Sequence, residues 1–258
     1  MIAAIASIAG RDLKRLARQP TRVVATIGTP VLVWMLLIGG FGGSELAEGS
    51  YAAFALPGAL TMVVLFGSIF GAISMIEDRQ AGLLRAMLAS PSPPIAIAIG
   101  KLLGGGVVCF AQALALLPAA YLVGLWPGPV DLLLAAAVLA CVATGIGGLC
   151  IASAWLVRST GGFHGIMNLV LMPLWLLSGG VFGESNATDW MNRVVSLNPL
   201  AWPTHALRAA LEGQTVQWGP MIGSLAFATG GALFALLVVA RRPRAPRALA
   251  RLAGDRHA

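Results

Sequence analysis

The chain has 258 residues, of which 58% are hydrophobic and only 10% charged, with a formal net charge of +7. A mean hydropathy of +0.84 sets it far from soluble globular domains and excludes that class. The positive charge does not point to nucleic acid. The bases gather at the two termini and beside apolar runs, without interleaved aromatics, as suits anionic lipid headgroups and the setting of topology.

At about 20 apolar residues per membrane-crossing helix, the length accommodates one domain of about six spans. Residues 1–22 carry Arg11, Lys14, Arg15, Arg18 and Arg22 behind the apolar positions Ile2, Ile5, Ile8, Leu13 and Leu16. This predicts an amphipathic interfacial helix that ends near Gln19-Pro20. Its apolar part precedes its charges, the reverse of a secretory signal, so the N-terminus is expected in the cytoplasm. Spans are expected at about 23–41, 52–76, 102–126, 132–157, 163–182 and 219–240, forming a transmembrane domain over 23–240. A short acidic loop with Glu45 and Glu48 follows the first span, and Trp126-Pro127-Gly128-Pro129 makes a tight turn after the third. The tail, 241–258, is basic and rich in Pro and Ala, and is expected to be poorly ordered and dispensable for insertion.

Residues 77–94, EDRQAGLLRAMLASPSPP, stand apart because acids, bases, helix formers and a proline stop sit together between long apolar runs. Gly82 to Leu88 predicts about two helical turns with Leu84, Met87 and Leu88 on one face. Glu77 and Asp78 are expected at the start of that helix, where its dipole favours negative charge, and Pro91, Pro93 and Pro94 end it. Such a helix fits either an interfacial anchor or a docking piece for a partner.

With both termini inside, the cytoplasmic segments hold five, three, one and six Lys and Arg residues, 15 of the 17, leaving Arg193 and Arg208 outside. That asymmetry obeys the positive-inside rule and turns the 77–94 segment toward the cytoplasm. No acidic or basic residue falls inside any expected span, and His164 lies near the cytoplasmic end of the fifth. Ion-coupled carriers need ionisable groups within the membrane, so the energy for any uphill transport would enter through a cytoplasmic partner. Gln112, Asn168 and the scattered Ser and Thr read as interhelical hydrogen-bonding groups.

Signatures of chemistry are missing. Gly100-Lys101 lacks the upstream glycine and following Ser or Thr of a phosphate-binding loop, and neither H-E-x-x-H nor G-x-S-x-G occurs. His164, His205 and His257 are too scattered for a metal site. Cys109, Cys141 and Cys150 lie in spans and read as packing residues. Asn186-Ala187-Thr188 is a sequon on the outer side, relevant only in a secretory pathway. Gly67-x-x-x-Gly71, Gly100-x-x-x-Gly104 and Gly161-x-x-x-Gly165 permit close helix approach, read as packing within the chain.

Residues 183–218 form an outer segment before the last span. Trp190, Val194 and Leu197 share one helical face, Asn198-Pro199 breaks the chain, and Ala206, Leu207, Ala210 and Leu211 make a second amphipathic stretch beside Arg208 and Glu212. Two such pieces predict a helical hairpin dipping into the outer interface. Trp190, Trp202 and Trp218 fit a simple aromatic belt, and the hairpin also fits a gate over an exit path built on Trp190, Asn198, Pro199 and Arg208.

Several short motifs recur in a definite order. Arg18-Gln19-Pro20 with Arg22 precedes a first span containing Pro30, and Phe54-Ala55-Leu56-Pro57-Gly58 opens the second. Glu77-Asp78-Arg79-Gln80-Ala81-Gly82 runs through to Ser90-Pro91, then Lys101. Pro173-Leu174-Trp175-Leu176-Leu177-Ser178-Gly179-Gly180 lies in the fifth span, and Asn198-Pro199-Leu200 with Arg208 closes the set. Over about 190 residues this order resembles the membrane subunit of type-2 ATP-binding-cassette exporters, a family that includes drug, lipid and polysaccharide export permeases. Gly183-Glu184 departs from it, since relatives often carry a proline there.

The resemblance implies an all-α polytopic membrane protein of six transmembrane helices. An N-terminal amphipathic connecting helix, a cytoplasmic coupling helix and an outer re-entrant hairpin before the last span would complete it. It implies docking of a separate ABC ATP-binding subunit on the coupling helix, with Glu77, Arg79, Gly82, Leu84, Arg85, Met87 and Leu88 as the contact residues. ATP and Mg would be held by that partner, with no cofactor on this chain. A second copy of this chain, or a homologous permease, would complete the path in a cell inner or plasma membrane. A partner-free channel or passive carrier, or a membrane assembly factor, would share the charge-poor spans without needing that helix. The spans suit an amphipathic or lipid-linked cargo better than a small ion.

Overall fold

A computed structural model describes residues 1–41, 50–84, 87, 93–182 and 189–241. The acidic loop with Glu45 and Glu48, the sequon, Gly183-Glu184 and most of the basic tail lie outside those residues. Ten α-helices are described: α1 (Ile2–Ala17), α2 (Pro20–Phe41), α3 (Tyr51–Gln80), α4 (Pro94–Leu116) and α5 (Ala119–Leu122). They continue as α6 (Pro129–Leu156), α7 (Thr160–Leu176), α8 (Asp189–Leu197), α9 (Ala201–Leu211) and α10 (Trp218–Ala240). No strand occurs among the described residues.

Among the described residues, five stretches are long and apolar enough to cross a membrane: Pro20–Phe41, Tyr51–Gln80, Pro94–Leu122, Pro129–Leu156 and Trp218–Ala240. The fifth expected span, 163–182, takes another form. Its helix, α7, starts earlier and stops at Leu176 after 17 residues, about 26 Å at 1.5 Å per residue. Turns and bends carry the chain from there to Phe182. Pro173 sits in the last turn and Gly179 takes a positive φ of 74°, a conformation that ends a helix readily only at glycine. In α4 the boundary moves the other way. Pro94 occupies the first helical turn, where a missing N–H costs nothing, and so Lys101 lies two turns inside the helix. Pro118 then separates α4 from α5.

At the centre stands α3, against which α2, α4, α6, α7 and α9 all pack. Leu56, Leu60, Met62, Val63, Leu65, Met75 and Ile76 on it are almost wholly buried. Beside it, α6 and α10 cross so closely that a methyl group on Gly148 would overlap the Gly231 carbonyl oxygen. Small residues at such a crossing let backbones meet where lipid supplies no hydrophobic driving force. Of the three glycine pairs singled out in sequence, two are internal seams: Gly67 faces Cys109, and Gly100 and Gly104 face α1. Gly161 and Gly165 meet no atom within 4 Å.

The outside of the bundle is apolar. Val24, Leu32, Met35 and Leu36 on α2, Leu169 on α7, and Ile222, Leu225, Leu233 and Leu237 on α10 are all exposed. This is the pattern of a chain whose surroundings are hydrocarbon or another apolar surface. The amphipathic α1 is less peripheral than its composition implies. Ile8, Ala9 and Asp12 lie against Gly100 and Gly104 of α4, which have no side chains to hold it off.

Candidate functional site

The last turn of α3 carries Glu77, Asp78 and Arg79. The two acids were expected at the start of a short helix; they occupy the end of a long one. There the helix dipole disfavours negative charge, and four cations from three other helices offset it. Glu77 Oε2 accepts from Arg15 Nη2 of α1 at 2.7 Å, and its Oε1 accepts from Arg22 Nη2 of α2 at 3.2 Å. Asp78 Oδ2 accepts from Arg11 Nη2 at 2.6 Å and from Lys101 Nζ of α4 at 2.5 Å, while Oδ1 accepts from Arg15 Nη1 at 3.1 Å. Lys101 also lies 2.9 Å from Asp12 Oδ2 and donates to Ser74 Oγ at 3.1 Å. Burial alone would lower the Arg11 pKa, but the carboxylates of Asp78 and Asp12 hold it above its ordinary value.

Arg79 turns the other way. Its guanidinium donates to the Val157 and Trp155 carbonyl oxygens at 2.6 and 2.7 Å and lies 5.8 Å from the centre of the Trp155 ring. Those carbonyls belong to the end of α6, where backbone acceptors lack helical partners and a cation complements the dipole. Three consecutive residues of α3 thus hold α1, α2, α4 and α6 together at one end of the bundle. Arg11, Arg15 and Arg22, which sequence reasoning assigned to lipid headgroups and topology, are engaged by carboxylates instead. Lys14 and Arg18 remain exposed.

The segment expected to dock a partner, residues 77–94, begins within this hub, which takes up its Glu77 and Arg79. Ala81 and Gly82 form a turn, with Gly82 at a φ of 76°. That left-handed residue rotates the next helical turn relative to α3. Leu84, expected on the docking face, turns inward and is 3% exposed within the core, while Leu83 is 40% exposed. Met87 packs partly buried against the same core. Arg85 and Leu88 lie outside the described residues.

At the opposite end of α3, the other motifs converge. A methyl group on Gly58 would lie 2.6 Å from the Gly180 carbonyl oxygen, so the two glycines form one close contact between α3 and the turn after α7. Trp175 Nε1 donates to the Gly58 carbonyl at 2.8 Å, and the Tyr51 hydroxyl donates to that of Val181 at 2.9 Å. From α9, Arg208 donates to the Gly179 and Phe54 carbonyls at 2.7 and 3.3 Å, its guanidinium 4.2 Å from the centre of the Phe54 ring.

Asn198 is buried and donates to the Leu174 carbonyl of α7 at 2.6 Å while accepting from the Leu200 backbone N–H at 2.9 Å. It therefore shapes the α8–α9 corner at Pro199 and ties it to α7. Leu207 and Leu211 are buried, as their spacing on α9 predicts, whereas Trp190 and Leu197 leave α8 with an exposed apolar face.

Sequence reasoning missed the ionic hub. Its partners are 55 to 67 residues apart for the arginine pairs, and no local spacing marks them. The available signal was charge arithmetic: acids after the second expected span and bases before the first and the third, segments that the positive-inside count expects on one side of the membrane.

No curated protein matches the chain in a sequence comparison. A family model described as ABC-2 type transporter matches residues 3–211, from α1 to the last residue of α9. With helices fit to cross a membrane several times and a family match over most of its length, the chain is a multi-pass membrane protein and belongs to the ABC-2 type transporter family.

Proposed function

We propose that the chain is the permease subunit of an ATP-driven exporter, forming a translocation path with a second copy of itself and docking a separate ATP-binding subunit at residues 81–93. The observation that carries this reading is the position of the start of that segment, residues 81–84: it follows directly from a helix end that grips four other helices and presents Leu83 outward. A force applied there reaches most of the bundle at once, as a rigid-body switch between inward- and outward-open states requires.

On this reading α7 and the turns to Phe182 act as a sixth membrane-embedded segment, with both termini and the hub on the cytoplasmic side. The corner of α8 and α9 then faces outward, where Arg208 and Asn198 hold it to α3 and α7, a placement suited to a gate. The apolar, nearly charge-free middle of the bundle favours an amphipathic or lipid-linked cargo. Arg79 and Glu77 serve the docking region by fixing its root rather than by touching the partner.

Co-purification of the tagged chain from its host in mild detergent, with identification of bound proteins and an ATPase assay, tests the proposal. A stoichiometric ATP-binding subunit that is lost with Leu83→Asp supports it. A chain that purifies alone under several mild conditions moves the reading to a partner-free channel, passive carrier or assembly factor.

A further inference from the structure

We propose that Asp78 is a positioning residue that joins α1 to the end of α3 as a single body, so that displacement of residues 81–84, which follow α3 directly, moves α1 with it. Only the source of that displacement rests on the function proposed above; the mechanical union of the two helices does not. Asp78 is 3% exposed, and both of its oxygens are used. Oδ1 and Oδ2 reach two arginines on successive turns of α1, and Oδ2 also holds Lys101 of α4.

Two arginines four residues apart, held by one carboxylate, fix both the rotation and the axial position of α1, which a single pair would not. Lys101 closes the ring by reaching back to Asp12 of α1. The apolar seam of Ile8 and Ala9 on Gly100 and Gly104 brings α1 close, but small smooth surfaces of this kind permit sliding. Charge-assisted hydrogen bonds with fixed geometry do not. Glu77 adds a more exposed contact to Arg15 and Arg22. A helix otherwise described as lying on a membrane surface is by this arrangement a lever attached to the central helix.

Nitroxide labels at Lys14→Cys on α1 and Leu83→Cys beyond α3 report the union directly by pulsed dipolar distance measurement on the full chain in lipid nanodiscs. Both sites are exposed, and a Cys141→Ala background removes the partly accessible thiol while Cys109 and Cys150 stay buried. The unaltered hub gives a single narrow distance. Asp78→Asn is expected to lose it and give a broad distribution. Because that variant leaves cations behind and can fail to fold, Arg11→Gln with Arg15→Gln is the second arm; there Asp78 keeps Lys101, and the narrow peak is again lost.

Restoring charge with Arg11→Lys and Arg15→Lys recovers the peak in part, which a role limited to side-chain bulk would not require. Wild-type distributions in the double glutamine variant overturn the proposal. The measurement needs no partner or nucleotide, so the absence of an ATP-binding subunit would defeat the proposed function and leave this result standing.

Discussion

The Lys101 ammonium lies 2.5 Å from Asp78 Oδ2, and both side chains are almost completely withdrawn from solvent. Burying either ion without a partner costs several kcal/mol in desolvation. Each is stabilised by the other and by the arginines and Asp12 around them.

Lys101→Met removes the cation shared by two carboxylates. Breaking a buried pair by deleting one partner costs about 3–5 kcal/mol when the other charge is left alone; the arginines that stay on both carboxylates reduce that cost, and thermal unfolding in detergent should show a fall in midpoint. Asp78 then keeps Arg11 and Arg15 while Asp12 keeps only Arg11, so Lys101→Met combined with Asp12→Asn removes the less compensated of the two carboxylates as well. That pair should recover part of the loss, the non-additivity expected of groups in one network. A single variant as stable as the parent would mean that the ammonium contributes nothing to the bundle.

How much of this is legible in the sequence varies by element. The long apolar runs set the helices almost where they occur, because lipid leaves helices as the only economical form for them. The corner at Pro199 and the buried face of α9 follow from proline chemistry and from the spacing of Leu207 and Leu211. Other features hide for definite reasons. The start of α4 lies earlier than charge placement suggests, because Lys101 reads as a boundary, whereas Pro94 begins the helix and Lys101 is neutralised within it. Leu84 and Met87 do share a face, but that face packs on the core rather than pointing outward, because periodicity says which residues align and not where the face points once the positive φ at Gly82 has turned the chain. Asn198 looks like a turn residue, and its hydrogen bond to α7 exists only in the folded chain.

Leu83 and Leu84 are neighbours with opposite environments, so aspartate at each separates docking from folding. Leu84→Asp buries a charge without a partner and should lower the yield of monodisperse protein. Leu83→Asp should leave yield and unfolding midpoint near the parent values and weaken binding of an ATP-binding subunit. Should Leu83→Asp co-purify with that subunit as well as the parent does, the docking surface lies elsewhere.

Arg208 combines hydrogen bonds to two carbonyls with a position over the Phe54 ring. Arg208→Lys keeps the charge but cannot span both acceptors and cover the ring with one planar group. Hydrogen bonds to a charged group contribute about 1.5–3 kcal/mol, and a fraction of that should disappear. Limited proteolysis between α7 and α10 offers a local readout: cleavage there should accelerate in Arg208→Lys and further in Arg208→Met. Unchanged cleavage in both would detach Arg208 from the stability of the α8–α9 corner.

Glycine at the helix crossings makes the sharpest contrast. Gly58→Ala and Gly148→Ala each place a methyl group within 2.6 Å of a backbone oxygen on a facing segment, and backbone cannot rotate away as a side chain can. Overpacking of this kind costs about 1–3 kcal/mol. Gly161→Ala enters open space in the first turn of α7, where alanine is favoured over glycine by a fraction of the about 1 kcal/mol of a helix interior. Unfolding midpoints should therefore fall for the first two variants and hold or rise for the third. If Gly161→Ala instead lowers the midpoint while leaving the monomer's helix content intact, α7 meets another molecule at that face, and the stripe from Gly161 to Leu169 becomes the place to look for the second copy.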